Sequence, residues 1–209
     1  MPRLAILDLD GTLVDSVDDL ATSVNHALRA VGLPERGIPE IRSFVGEGAR
    51  VLLERSVAPH AGRLEPALAA WWKHYEDHCL DRTRLYPGIS ALLDGAGRVL
   101  AVHTNKPGAL ARKILAGLGV LERFTVVVGG DEAPRKPDPA GVHAIRARVG
   151  ASPAETVFVG DSAVDVATAR AAGVSVVAVT WGLGAREALV RAGAAVLVDD
   201  AAGLAPWLA

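Results

Sequence analysis

The sequence predicts an α/β fold, a doubly wound, Rossmann-like parallel sheet with an inserted all-helical domain, and three observations carry that reading. Residues 3–7 (RLAIL) form a short apolar run that stops at the acidic DLDGT. From about residue 98 apolar segments alternate with helical ones, and residues 14–84 show helical spacing only.

The first run reads as a buried parallel strand followed by a loop, because a strand covered on both faces is apolar throughout. The later strands are expected at 98–104, 124–130, 156–161, 174–180 and 195–199. Helices near 108–118, 138–149, 164–172 and 185–192 separate them. Between the first strand and this series, Val17, Leu20, Ala21, Val24, Ala27, Leu28 and Val31 mark one face of a helix. Asp15, Ser16, Asp18 and Asp19 suit its N-terminus, and Gly32 with Pro34 suits its end. Further helical stretches follow near 48–58 and 64–80. The expected division is therefore a core of residues 1–13 and 85–209, with a helical cap at 14–84.

Half of the 209 residues are hydrophobic, enough for a proper core, and the formal net charge is only −2. Without a basic surface or a long run of one sign, nucleic acid and anionic lipid are not the expected partners; a small molecule is. No apolar stretch approaches the roughly 18 residues of a spanning helix. The lone Cys79 forms no intrachain disulfide, and the first residues lack an uninterrupted apolar stretch. A cytoplasmic protein is expected, and the oligomeric state is left open.

In an open parallel sheet, ligands bind beyond the carboxyl ends of the strands. Asp8 and Asp10 follow the first strand, Thr104, Asn105 and Lys106 the second, Lys136 lies after the third, and Asp161 and Asp165 follow the fourth. Carboxylates gathered at one edge repel unless a cation neutralises them, and Mg2+ prefers such hard oxygen ligands together with phosphate. Lys136 and Thr104 then offer charge and a donor to phosphoryl oxygens, and Gly11 and Thr12 are expected to offer backbone N–H groups. Asp8 and Asp10, two apart in an extended segment, share a side, so one can attack while the other handles protons.

DLDGTLVDS (8–16), HTNKP (103–107), RKPDP (135–139) and GDSAVD (160–165) resemble, in order and spacing, the four motifs of the haloacid dehalogenase superfamily. The helical insertion resembles that family's cap. The resemblance implies that Asp8 is a nucleophile, Asp10 a general acid/base, Thr104 and Lys136 phosphate binders, and Asp161 and Asp165 Mg2+ carboxylates beside Asp8 and Asp10; Asn105, next to Thr104, is a further candidate for phosphate. The segment FVGEGARVLLERSV (44–57) and TNKP resemble the phosphoglycolate phosphatase branch. Gly46 and Gly48 would there permit turns near a ligand, and Arg50 would meet a substrate carboxylate. A phosphatase acting on a small phosphate ester through an aspartyl-phosphate is implied.

Other readings are weaker. An EF-hand loop fails on spacing, since Gly11 is fourth from Asp8 and Asp19 holds the twelfth place. Asp10 argues against a dehalogenase. A sugar-phosphate phosphatase or phosphomutase keeps the same DxD pair, and a receiver domain shares the acidic cluster but not the helical lid. A silent binding protein would not need so complete a set. Asp165 and Ser162 also suit a helix cap, and His74 and His78 a solvated face. Trp71 and Trp72 suit packing, and Trp181 the core near the site.

Overall fold

The computed structural model describes residues 3–209. In chain order its elements are β1 (Leu4–Leu7), β2 (Val14–Asp15), α1 (Val17–Ala30), α2 (Ile38–Arg42), α3 (Ala49–Val57), α4 (Leu64–His78), β3 (Arg84–Leu85) and α5 (Ile89–Asp94). There follow β4 (Val99–His103), α6 (Gly108–Gly117), β5 (Val126–Val128), α7 (Ala140–Val149), β6 (Thr156–Gly160), α8 (Ala163–Ala171), β7 (Ser175–Val179), α9 (Arg186–Ala192), β8 (Leu197–Val198) and α10 (Ala201–Leu208). They divide into two compact units, the residues up to Asp15 with Leu85–Ala209, and Ser16–Arg84.

The first unit is a six-stranded sheet in the order β5-β4-β1-β6-β7-β8, with parallel pairing throughout. The α/β expectation holds. β1 lies between β4 and β6, Leu7 facing Val102 on one side and Val159 on the other. All four β1 residues are buried, as a strand covered on both faces must be. Leu4, Ile6, Val126, Val142, Ile145 and Phe158 join one core cluster, and each such side chain contributes about 1.5–3 kcal/mol by leaving water. Because the strands run parallel, the loops at 8–12, 104–107, 129–139, 161–162 with the start of α8, and 180–184 all lie beyond one edge.

The second unit is helical. α1 packs on α4 and α2, and α3 packs on α4. Asp19 is buried and accepts hydrogen bonds from the Arg82 and Thr83 backbones and the Thr83 hydroxyl, at 2.7–3.0 Å. It therefore ties the two ends of the unit together, beyond its expected service to a helix terminus. His74 is not simply solvated: its ring stacks between His26 and His78, with centroids 4.2 Å away on each side. Trp71 is buried and stacks on Tyr75, while Trp72 is exposed. The helices α2, α5 and α10, and the two-stranded β2-β3 sheet, lie outside the sequence expectation. Among the described residues no helix is long and apolar enough to cross a membrane.

Candidate active site

β1 runs out at Leu7, but the ladder continues one step: the Asp8 N–H donates to Val159 O at 2.9 Å. This fixes the Asp8 backbone, and its side chain is buried at the sheet edge. Lys136 Nζ stands 2.8 Å from Asp8 Oδ1 and 2.6 Å from Asp165 Oδ1. Asp8, Asp161 and Asp165 each place a carboxylate oxygen within 4.8 Å of the others.

Three buried carboxylates against one ammonium leave two negative charges. Burial, followed by Asp165 and Asp161, pushes the Asp8 carboxyl up to about 8, against the opposing pull of Lys136. Burial and then Asp165 push Asp161 up to about 6. Burial pulls the Lys136 ammonium down, but Asp165 and Asp8 outweigh it and hold it above the ordinary lysine value. The protein alone therefore under-neutralises this cluster. A divalent cation with hard oxygen preference fits the donor set.

Asp161 is held by neighbours from two loops. Thr12 Oγ1 donates to its Oδ1 at 3.0 Å and the Leu183 N–H to its Oδ2 at 2.7 Å. Gly11, at φ +87°, makes this approach possible, since a Cβ there would stand 2.2 Å from Asp161 Oδ2. Trp181 Nε1 donates to Thr12 O at 3.1 Å, so this side chain braces the nucleophile's loop in addition to packing. The expected N–H groups of Gly11 and Thr12 are not offered to a ligand. Gly11 N donates to Val14 O and Thr12 N to Leu9 O, because the tight turn after Asp10 needs both. Their contribution is to position Asp161.

Asp165 satisfies both of its sequence readings. Its Oδ2 accepts from the Ser162 N–H and hydroxyl in a capping box at the start of α8, while its Oδ1 accepts from Lys136.

Asn105 is engaged with the backbone of the lysine loop. Its Nδ2 donates to Lys136 O at 3.2 Å, and its Oδ1 accepts from the Lys136 N–H at 2.8 Å. Beyond the role the sequence suggested for it, it clamps the backbone of the lysine loop. The Thr104 hydroxyl oxygen accepts the Lys106 N–H at 3.2 Å, and Thr104 is buried beside the cluster's loops. Both oxygens of Asp10 accept from Lys106 Nζ, at 3.0 and 2.9 Å. The metal-capable group among the described residues accordingly comprises Asp8, Asp161 and Asp165, and the Asp10 carboxylate is committed to Lys106 instead.

Gly46, Gly48 and Arg50 belong to the helical unit. Gly46 and Gly48 have φ of +123° and +92°, the latter at the start of α3. Arg50 gives two guanidinium bonds to Glu65, at 2.8 and 3.3 Å, and both side chains are exposed. Sequence reasoning missed the Lys106 partner of Asp10 and the Leu183 N–H. The one available signal for the second was WGLG directly after the fifth expected strand.

The haloacid dehalogenase-like hydrolase family model matches residues 5–179. The phosphoglycolate phosphatase of Rhodospirillum rubrum is 41% identical, over 100% of this chain and 91% of that protein. Phosphoglycolate phosphatase 1 of Pseudomonas aeruginosa is 38% identical, over 99% of this chain and 79% of its own length. Among solved structures, a predicted phosphoglycolate phosphatase of Haemophilus somnus superposes with a TM-score of 0.93 at 32% identity, covering 99% of this chain and 97% of that one.

Proposed function

The chain belongs to the haloacid dehalogenase-like hydrolase family, and from that premise we propose that it is a Mg2+-dependent phosphatase of a small, carboxylate-bearing phosphate monoester of the phosphoglycolate kind. The observation that carries the reading is Asp8: a buried carboxylate at the end of the central strand, with Lys136 at 2.8 Å and two further carboxylates beside it.

Asp8 Oδ attacks phosphorus, the bond from phosphorus to the ester oxygen breaks, and an aspartyl-phosphate forms. Once it carries a proton, Asp10 gives it to the departing oxygen, and the proton it then takes from the water that cleaves the intermediate and releases phosphate restores it. Lys136 stabilises the equatorial oxygens as charge develops, and Thr104 donates its hydroxyl proton to them. Asp8, Asp161 and Asp165 would hold Mg2+, which supplies charge neutralisation at the nucleophile and phosphoryl group. Asn105, Thr12 and Trp181 fix the loops that carry these groups.

Purified protein with Mg2+ should release phosphate from phosphoglycolate, and Asp8→Asn should abolish the release. Full activity in that variant would remove Asp8 from the nucleophilic role. Chelation should silence the enzyme and Mg2+ restore it.

A further inference from the structure

Lys106 has no part in the phosphoryl chemistry above, yet it is a cation buried at the same edge. Its side chain is 4% exposed, and it holds both Asp10 oxygens at 2.9–3.0 Å. Its backbone is fixed on both sides of the residue, with the N–H donating to Thr104 Oγ1 and the carbonyl accepting the Gly130 N–H at 3.0 Å.

The geometry places this ammonium in relation to the substrate. To serve the ester oxygen, Asp10 must approach it to roughly 2.6–3.2 Å. An ammonium about 3 Å from Asp10 then lies within roughly 6 Å of that oxygen. A carboxylate on the ester's α carbon extends about 3 Å from the same oxygen by standard bond lengths. With the ester oxygen on Asp10, such a carboxylate can therefore swing to within hydrogen-bonding reach of Lys106. An ester lacking this charge gains nothing there.

The other candidate cations are engaged differently. Lys136 is enclosed between Asp8 and Asp165, and Arg50 of the helical unit is bonded to Glu65. A lysine ammonium is a compact charge with rotatable donors, suited to sharing two anions.

We propose that Lys106 determines specificity by binding the substrate's α-carboxylate while it holds Asp10 against the ester oxygen. The proposal rests on the phosphatase reading given above and adds the residue that selects the substrate class.

The test compares phosphoglycolate with the phosphate ester of glycolamide, which has the same skeleton and no charge at that end. Wild type should prefer phosphoglycolate in kcat/KM by on the order of 10- to 100-fold, the effect of one charge-assisted hydrogen bond. Lys106→Met should abolish that preference, mainly through KM for the charged ester, and Lys106→Arg should keep most of it. Equal losses on both esters in Lys106→Met would reduce Lys106 to a support for Asp10 and overturn the proposal. Should Lys106→Met not fold, Lys106→Gln takes its place: a rise in KM confined to phosphoglycolate supports the proposal, and equal changes in the two esters overturn it. A wild type that turns over both esters equally, while Asp8→Asn is inactive, overturns the proposal and leaves the phosphatase reading standing. Activity retained in Asp8→Asn instead overturns the reading beneath it.

Discussion

Asn105 and the backbone of Lys136 are joined by two hydrogen bonds, one donated in each direction, at 3.2 and 2.8 Å. The clamp ties the loop after β4 to the loop after β5, and the lysine that faces Asp8 is placed by it. Asn105→Ala leaves a buried N–H and a buried carbonyl without these partners, at a cost of roughly 2 kcal/mol. Denaturant unfolding should show that loss, and kcat should fall about 10-fold or more as Lys136 loses its fixed position. Unchanged kcat in a destabilised variant would show that the clamp serves the fold alone.

The Thr12 hydroxyl donates to Asp161, one of the three clustered carboxylates. Thr12→Val keeps the volume and removes the donor. Groups that orient a metal ligand in this way typically contribute 10- to 100-fold to metal affinity. The Mg2+ concentration for half-maximal activity should rise by about that factor, with kcat at saturating Mg2+ little changed. A Mg2+ dependence equal to wild type would contradict this.

His103 is fully buried at the end of β4. Burial and then the Lys136 charge lower its pKa to about 4. The unfolded chain takes up this proton near pH 6.5, whereas the folded protein resists it down to about 4. Its effect on stability is therefore fully favourable above about 6.5 and is lost as pH falls toward 4, a change of roughly 3 kcal/mol. Comparing wild type with His103→Leu cancels the carboxylates' own titration. The wild type should lose stability relative to the variant across that window; parallel curves would mean that His103 does not titrate as its surroundings dictate.

Asp8 and Asp161 shift the opposite way, to about 8 and about 6. With raised folded values, their contribution is present below the unfolded carboxyl range and is lost as pH rises through the folded ones. Metal-free protein should therefore melt at progressively lower temperature between about pH 4 and pH 8, and Mg2+ should raise the melting temperature more at the upper end. A Mg2+ effect independent of pH would show that the ion does not act on this cluster.

The sheet was legible because buried parallel strands are apolar throughout and end in polar loops, as RLAIL before Asp8 illustrates. The short helices α2, α5 and α10 were not, since five to eight residues show little periodicity of their own. Within the site, residue types announced chemistry but not hydrogen-bond partners. Asn105 could serve phosphate or backbone equally well on sequence grounds, and only the approach of the Lys136 loop decides. Lys106 and Asp10 stand 96 positions apart, a pairing no local pattern encodes. Gly11 and Thr12 looked like anion binders because turn residues so often are, but this turn closes on its own N–H groups.

Of the described sheet strands β1 comes first in chain order, yet its neighbours are β4 and β6, with Leu4 opposite Val99 and Thr156. A chain emerging from the ribosome must hold this apolar segment in waiting until both partners have been synthesised. The helices of Ser16–Arg84 meet one another within that stretch, so their packing partners are all at hand before either neighbour of β1 has been made. Long-range parallel pairing of this kind is slow and leaves hydrophobic backbone open to strangers. The acidic edge draws Asp8 from the end of β1 and Asp161 and Asp165 from beyond β6, so it exists only once those two distant strands are paired.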